Sequence, residues 1–212
     1  NGFLNILEAC REFNIEGLIY ASSSSIYGEN KKIPFKENDR ADLPVSIYAC
    51  SKRANELMAY TYNHLFSLKT TGLRFFSVYG PWGRPDMAIY IFTEKISKGL
   101  PIQVFNQGNM SRDYTFVGDI IKGIRSAIDK NYKFEIFNLG NNQSVDLLNL
   151  IQIIEQRLKK KAIIELTEMQ PGDVKTTYAD ISYAKRKLGY SPKTEIKEGV
   201  KRFIDWYLGY NK

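Results

Sequence analysis

Histidine is nearly absent from this chain: His64 is the only one in 212 residues. A Ser-His-Asp mechanism would have to use it, yet it sits among Tyr60, Leu65 and Phe66, where packing or a surface role is the plainer reading. Cysteine is almost as scarce, with Cys10 and Cys50 alone. Both fall in stretches patterned as helix, so buried free thiols in a reducing compartment fit better than a disulfide. No Cys/His cluster has metal-ligand spacing, so no metal site is expected. No apolar run approaches the roughly 20 residues that span a bilayer. No secretory leader is visible, and a chain that opens inside a helical pattern carries no information on that point. Internal repeats and low-complexity linkers are absent as well.

What is present is the composition of a globular protein. Hydrophobic residues make up 43% and charged ones 25%, and a chain of this length buries a substantial core in one or two domains. The net charge is +7. The excess is spread through amphipathic stretches, including Lys159-Lys160-Lys161 and Lys185-Arg186-Lys187. The first run falls at a helix end, where cations offset the helix dipole. No RNA-binding aromatic motif or helix-turn-helix pattern stands out, so a nucleic-acid partner is not expected. A basic surface also attracts small anionic ligands.

Periodicity gives the element order. Gly2 to Phe13 reads as a helix and Leu18 to Ala21 as a short buried strand. The serines Ser22 to Ser25 follow, then Ile26-Tyr27-Gly28 as a strand end, and a loop from Glu29 to Val45. A helix from Tyr48 to Leu68 and a strand from Thr71 to Phe76 complete an alternation that implies a parallel sheet with covering helices. Beyond Pro81 the order is mixed. Helices are expected over Met87 to Lys98, Gly118 to Asp129, Val145 to Leu158, Ser182 to Leu188 and Ile196 to Leu208. Ser144 is the expected cap of the third of these. In the second, Ile120, Ile121, Ile124 and Ile128 are the expected apolar face. Strands are expected over Ile102 to Phe105, Tyr114 to Phe116, Phe134 to Leu139 and Ala162 to Leu166, with a turn at residues 106–109.

The most informative pair is Tyr48 and Lys52. Residues four apart share a helix face. An ammonium beside a phenol favours the phenolate, and a phenol so placed takes protons from alcohols near neutral pH. A serine hydroxyl opposite would hold the same oxygen. This is equipment for moving hydrogen on and off a secondary alcohol in partnership with a nicotinamide. In an open parallel sheet, ligands sit beyond the carboxyl ends of the strands, where the serine run and Ser77 to Pro81 both fall.

Three segments carry a family resemblance: Ser22-Ser23-Ser24-Ser25-Ile26-Tyr27-Gly28, Tyr48-x-x-x-Lys52, and Leu73-Arg74-Phe75-Phe76-Ser77-Val78-Tyr79-Gly80-Pro81. Together they resemble the extended short-chain dehydrogenase/reductases, which act on nucleotide sugars with tightly held NAD. Within that family, Pro81-Trp82-Gly83-Arg84-Pro85-Asp86-Met87-Ala88, Arg112-Asp113-Tyr114-Thr115-Phe116-Val117 and Gln170-Pro171-Gly172-Asp173-Val174 are similar to the UDP-glucuronate 4-epimerases. The resemblance covers essentially the whole chain, with its motifs in family order.

It implies an α/β fold: a Rossmann-like, doubly wound parallel sheet, here its C-terminal portion only, with a small interleaved α/β substrate-binding domain. Residues 1–80 would be the C-terminal part of the NAD-binding domain, with return segments near 112–140, and residues 81–212 mostly the substrate domain. The implied reaction converts UDP-glucuronate to UDP-galacturonate through a 4-keto sugar with transient NADH. Tyr48 is then the base and Ser23 the hydroxyl that shares its proton. Lys52 holds the nicotinamide ribose. Phe75, Phe76 and Val78 line the nicotinamide pocket. Ser24, Ser25 and Ser77 face the sugar, Arg84 its carboxylate, and Arg112 the diphosphate. Gln103, Phe105 and Asp173 stand where relatives contact uracil or its ribose. Related 4,6-dehydratases place an acidic pair after the catalytic hydroxyl, and Ser24 and Ser25 cannot do that work. Gln170 replaces an arginine common in galactose-type epimerases, as fits the glucuronate type. The resemblance also implies a homodimer through the helices at 2–13 and 48–68, a cytoplasmic location and a role in polysaccharide biosynthesis.

The chain departs from the family in one large respect. No Gly-x-x-Gly-x-x-Gly turn precedes Tyr48, although such turns seat the pyrophosphate of NAD. Roughly 100 residues, about three βαβ-scale units, are therefore expected to be missing ahead of it. Two other readings stay open: a 4-epimerase of a neutral or N-acetylated UDP-hexose, and a non-catalytic fragment. On the first reading, the isolated 212-residue chain should bind NAD poorly and turn over little, as titration and an epimerisation assay would report.

Overall fold

The computed structural model describes residues 2–170 and 172–211. Pro171 of the Gln170–Val174 motif lies outside the described residues. The chain begins with helix α1 (Gly2–Glu12), strand β1 (Leu18–Ser23) and a 3-10 turn (Ser24–Tyr27). Helix α2 (Ile47–Phe66), strands β2 (Thr70–Phe75) and β3 (Ser77–Tyr79), and helix α3 (Ala88–Lys98) follow. Strands β4 (Pro101–Val104), β5 (Ser111–Arg112) and β6 (Tyr114–Phe116) lead into helix α4 (Val117–Lys130). The remainder is β7 (Phe134–Leu139), β8 (Val145–Asp146), α5 (Leu147–Leu158), β9 (Ile163–Leu166), α6 (Ser182–Leu188) and α7 (Ile196–Tyr210).

Strands β1, β2 and β7 form a parallel sheet in the order β1-β2-β7. Its register sets Ser22 opposite Arg74 and Ser23 opposite Phe75. Parallel strands need crossover helices, and α2 and α4 supply them. Three smaller pairs follow: β3 with β6, β4 with β9, both parallel, and β5 with β8, antiparallel. Two large apolar cores result, besides a smaller cluster of Leu7, Cys10, Tyr62 and Leu68. One surrounds the three-stranded sheet, built on residues such as Tyr27, Leu73, Phe76 and Phe137. The other joins α3, α5 and α7 through Phe92, Ile96, Leu150, Ile154 and Phe203.

Four expectations are corrected. Ile26 and Tyr27 do not prolong a strand. The Ser23 hydroxyl accepts the Ser25 N–H and caps a 3-10 turn instead, while the Tyr27 ring stacks on Phe35 with centroids 4.6 Å apart. Gly28 then turns the chain at φ 53°, where a Cβ would lie 2.0 Å from the Leu43 carbonyl oxygen. Ser144 does not cap α5. Val145 and Asp146 are spent pairing with Ser111 and Arg112, so the helix starts later and the Ser144 hydroxyl has no partner among the described residues. Cys10 is buried as expected, but Cys50 is exposed, because α2 buries the face carrying Ala49, Glu56, Ala59 and Asn63. In α4, Ile120 is buried and Ile124 packs against the sheet core. Ile121 and Ile128 are exposed, since the buried stripe continues through Gly123 and Ala127 instead.

Helix α7 approaches β3 closely at Gly199, where a Cβ would lie 2.0 Å from the Tyr79 hydroxyl oxygen. Gly199→Ala should therefore cost about 1–3 kcal/mol, by overpacking. Gly209, in the same helix with open space around it, is the control: Gly209→Ala should gain up to about 1 kcal/mol from helix propensity. Urea midpoints of both variants check the opposite signs.

Candidate active site

The Ser46 hydroxyl accepts the Ala49 N–H at 3.1 Å and starts α2, which places Tyr48 in the first turn beside the carboxyl ends of β1 and β2. Tyr48 is 54% exposed. Lys52, one turn on, donates to the Ala21 carbonyl at 3.0 Å, and its ammonium lies 5.7 Å from the centre of the Tyr48 ring. Lysine, phenol and strand end thus meet as the spacing predicts.

A cleft of about 620 Å³ lies over this point, lined by Ser23, Ser24, Ser25, Tyr48, Phe75, Phe76, Ser77, Val78, Trp82 and Arg84 among others. The serines differ. The Ser22 hydroxyl is buried and donates to Glu56 at 2.6 Å. Ser23 is also buried, and its hydroxyl donates to the Ser25 hydroxyl at 3.1 Å. Ser24 is half-buried and Ser25 exposed. Arg84 stands on the rim with its side chain 74% exposed and its Nε 3.3 Å from Asp86, an ion pair of little strength in water.

A second cleft, of about 820 Å³, is lined by Gln103, Phe105, Arg112, Gln170 and Asp173, and shares Ser77, Val78, Tyr79 and Met87 with the first. Arg112 donates to Asp173 at 2.6 Å and to the carbonyls of Ser111 and Lys175. The structure thus gathers the sequence-derived residues into two adjoining clefts, with Lys52 set back against β1. Among the described residues no group of three or more His, Cys, Asp or Glu side chains is placed to hold a metal ion.

Two parts of the site's support were not anticipated. Glu56 and Arg74 form a buried ion pair beneath the serines, 1% and 2% exposed. Its signal was an arginine inside an apolar strand and a glutamate one turn beyond Lys52. Asp113 is fully buried and accepts N–H groups from Asn141 and Ala179 and the Thr115 hydroxyl. It ties the strand after Arg112 to two distant loops. Its signal was a carboxylate amid the Tyr114-Thr115-Phe116 run.

These features agree with the comparisons. A model of the NAD dependent epimerase/dehydratase family matches residues 1–140, and the chain belongs to that family. An uncharacterized protein of Methanocaldococcus jannaschii is 54% identical over 207 residues, covering 98% of this chain and 64% of that protein. UDP-glucuronate 4-epimerase 4 of Arabidopsis thaliana is 47% identical over 227 residues, covering 99% of this chain and 52% of that enzyme. Among solved structures, UDP-glucuronic acid 4-epimerase from Bacillus cereus, in complex with UDP-glucuronic acid and NAD, superposes with a TM-score of 0.93 at 31% identity. That match covers 98% of this chain and 66% of that one. The fold is the Rossmann-like α/β fold of NAD-dependent nucleotide-sugar epimerases, and NAD is the family's cofactor. The chain spans between about half and two thirds of the length of these curated relatives.

Burial pushes the Asp113 carboxyl up to about 6, against the hydrogen bonds from Asn141 and Ala179 that favour its charge. A carboxyl raised in the folded state stabilises the fold when protonated. That contribution is complete below about pH 4, the unfolded value, and is lost as the pH rises through about 6. Carbon NMR should show Asp113 titrating near pH 6; a midpoint near about 4 would make it an ordinary carboxylate.

Proposed function

We propose that the protein carrying this chain is a UDP-glucuronate 4-epimerase, which inverts the sugar 4-hydroxyl through a 4-keto sugar. The observation that carries the reading is the joining of two clefts. One end presents a phenol, a hydroxyl and an exposed arginine; the other presents Arg112 with Gln103 and Phe105. That is the layout for a long anionic substrate with a reactive sugar at one end and a nucleotide at the other.

The residues present suit the nicotinamide end of NAD. The Phe75 and Val78 side chains provide an apolar wall, and Tyr48 and Lys52 provide polar groups at its edge. When bound, NAD supplies reversible oxidation of an alcohol carbon. Tyr48 takes the proton of the sugar 4-hydroxyl and returns it to the 4-keto oxygen. Ser23 shares that proton and holds the oxygen, and Ser25, hydrogen-bonded to Ser23 at 3.1 Å, extends the donor network. Lys52 keeps positive charge beside the phenol. Ser24 and Ser25 bear no acid for eliminating water, which supports oxidation and re-reduction at one carbon over dehydration.

Arg84 reads the carboxylate of the sugar with a two-pronged guanidinium. Its exposed, weakly paired state leaves it free to turn into the cleft. Arg112 takes the diphosphate, exchanging Asp173 for it, and Gln103, Phe105 and Asp173 flank the base and its ribose. In this reading residues 1–80, with return segments near 112–140, serve NAD, and residues 81–212 mostly serve the sugar nucleotide. A homodimer through α1 and α2 fits as well, since Ile6, Phe13, Leu57 and Leu65 are exposed on those helices or at their ends. So does a cytoplasmic place in supplying UDP-galacturonate for polysaccharide.

The test is epimerisation of UDP-glucuronate and UDP-glucose side by side, in the protein with its natural flanking sequence. Wild type should convert the glucuronate alone. Arg84→Ala should lower kcat/KM about 10–100-fold, as expected for hydrogen bonds to a charged group. Tyr48→Phe should cost about 10²–10⁴ in kcat. Conversion of UDP-glucose unaffected by Arg84→Ala would move the protein to the neutral-sugar epimerases.

A further inference from the structure

Beneath the serines, one carboxylate gathers three elements. The Glu56 side chain accepts from the Ser22 hydroxyl at 2.6 Å and from Arg74 Nε and Nη2, both at 2.9 Å. Arg53 adds a fourth contact at 3.0 Å. Glu56 lies four residues after Lys52 and eight after Tyr48, so the three side chains share one face of α2. Ser22 and Arg74 are register partners, and each immediately precedes a residue of the cleft, Ser23 and Phe75. Arg74 also donates to the Tyr27 hydroxyl at 3.0 Å and to the Glu37 carbonyl at 2.9 Å. Tyr27 ends the turn that carries Ser24 and Ser25.

The cluster therefore meets the cleft only through Ser22 at its floor, yet it ties down every element that carries one of the proton-handling residues. Stability alone is a poor reason for it, because a buried ion pair is generally no better than well-packed apolar side chains. Its distinguishing property is geometric. A two-pronged guanidinium–carboxylate pair admits one planar arrangement, and a misplacement of about 1 Å at a reacting centre costs on the order of 10²-fold in rate.

We propose that Glu56 and Arg74 are positioning residues, whose paired side chains fix α2 against β1 and β2 and thereby set Tyr48 and Lys52 over Ser23. The proposal rests on the epimerase reading above, which assigns Tyr48 and Ser23 their roles. The nucleotide end is not involved: Arg112, Gln103 and Phe105 belong to other elements.

The decisive variant is the double replacement Glu56→Leu with Arg74→Met, which keeps volume while removing both charges. In the protein with its natural flanking sequence, kcat should fall at least about 10-fold, with KM for UDP-glucuronate unchanged. The pH dependence of kcat should also shift, because Lys52 no longer stands at its set distance from Tyr48. A folded double variant with wild-type kcat and pH profile would overturn the proposal. Should that variant not fold, Ser22→Ala decides instead. It removes only the hydroxyl link to β1 and should lower kcat several-fold at unchanged KM, and wild-type kcat would overturn the proposal. Tyr48→Phe run alongside separates the two readings: undiminished turnover there defeats the epimerase assignment itself. Lost turnover there with normal rates in the other variants defeats only the positioning role.

Discussion

One buried carboxylate, Glu56 of α2, takes up Arg74 of β2 and the Ser22 hydroxyl of β1, and so joins the helix that bears Tyr48 to the two strands that lead into the cleft. Glu56 and Arg74 are almost wholly shielded from water. Burial alone would raise the Glu56 carboxyl, but the hydrogen bonds of Arg74, with those of Ser22 and Arg53, hold it below the usual carboxylate range. Neither charge is tolerable without the other. Removing one partner of such a pair typically costs about 3–5 kcal/mol, a large share of the stability of a domain. The Tyr27 ring completes the enclosure, lying 5.1 Å from the Arg74 guanidinium carbon, and its hydroxyl passes the network on to Asn138 of β7 at 2.7 Å. All three strands of the main sheet are thus tied to one polar centre.

From that centre the site opens outward. Strands β1 and β2 end at Ser23 and Phe75, and the chain then leaves the sheet. One exit is the serine turn; the other is β3, which pairs with β6 beneath the second core. Because β3 passes from one core to the other, Ser77, Val78 and Tyr79 line both clefts. The Ser77 N–H donates to the Asp113 carbonyl at 3.0 Å, so the seam between the clefts is secured by the residue whose carboxyl also fastens the loops at Asn141 and Ala179. A ligand spanning both clefts would cross this seam.

Much of this was legible without coordinates. Apart from the strand end expected at Ile26-Tyr27-Gly28, which is a 3-10 turn, each expected helix and strand lies within about two residues of an observed element, the usual spread at element ends. Local periodicity carries that information. The misses share a cause. Ser144 resembles a cap, but the strand at Ser111–Arg112 claims the following residues for pairing. Ile121 and Ile128 fit the apolar pattern of α4, but Gly123 and Ala127 let the neighbouring Leu139 and Tyr190 pack closer on another face. In each case a partner distant in sequence outweighed a local preference.

By itself the sequence determined the order of elements, the chemical pairing of Tyr48 with Lys52 and the presence of arginines suited to anions. These depend on residues within one helical turn or one strand. Only the tertiary structure decided that Ser22 is committed to Glu56, 34 positions away, that Arg112 meets Asp173 across 61 positions, and that two clefts adjoin at β3. Such contacts arise when packing and register bring separate elements together. Nothing in the spacing of neighbouring residues encodes which distant side chain will fill a given place.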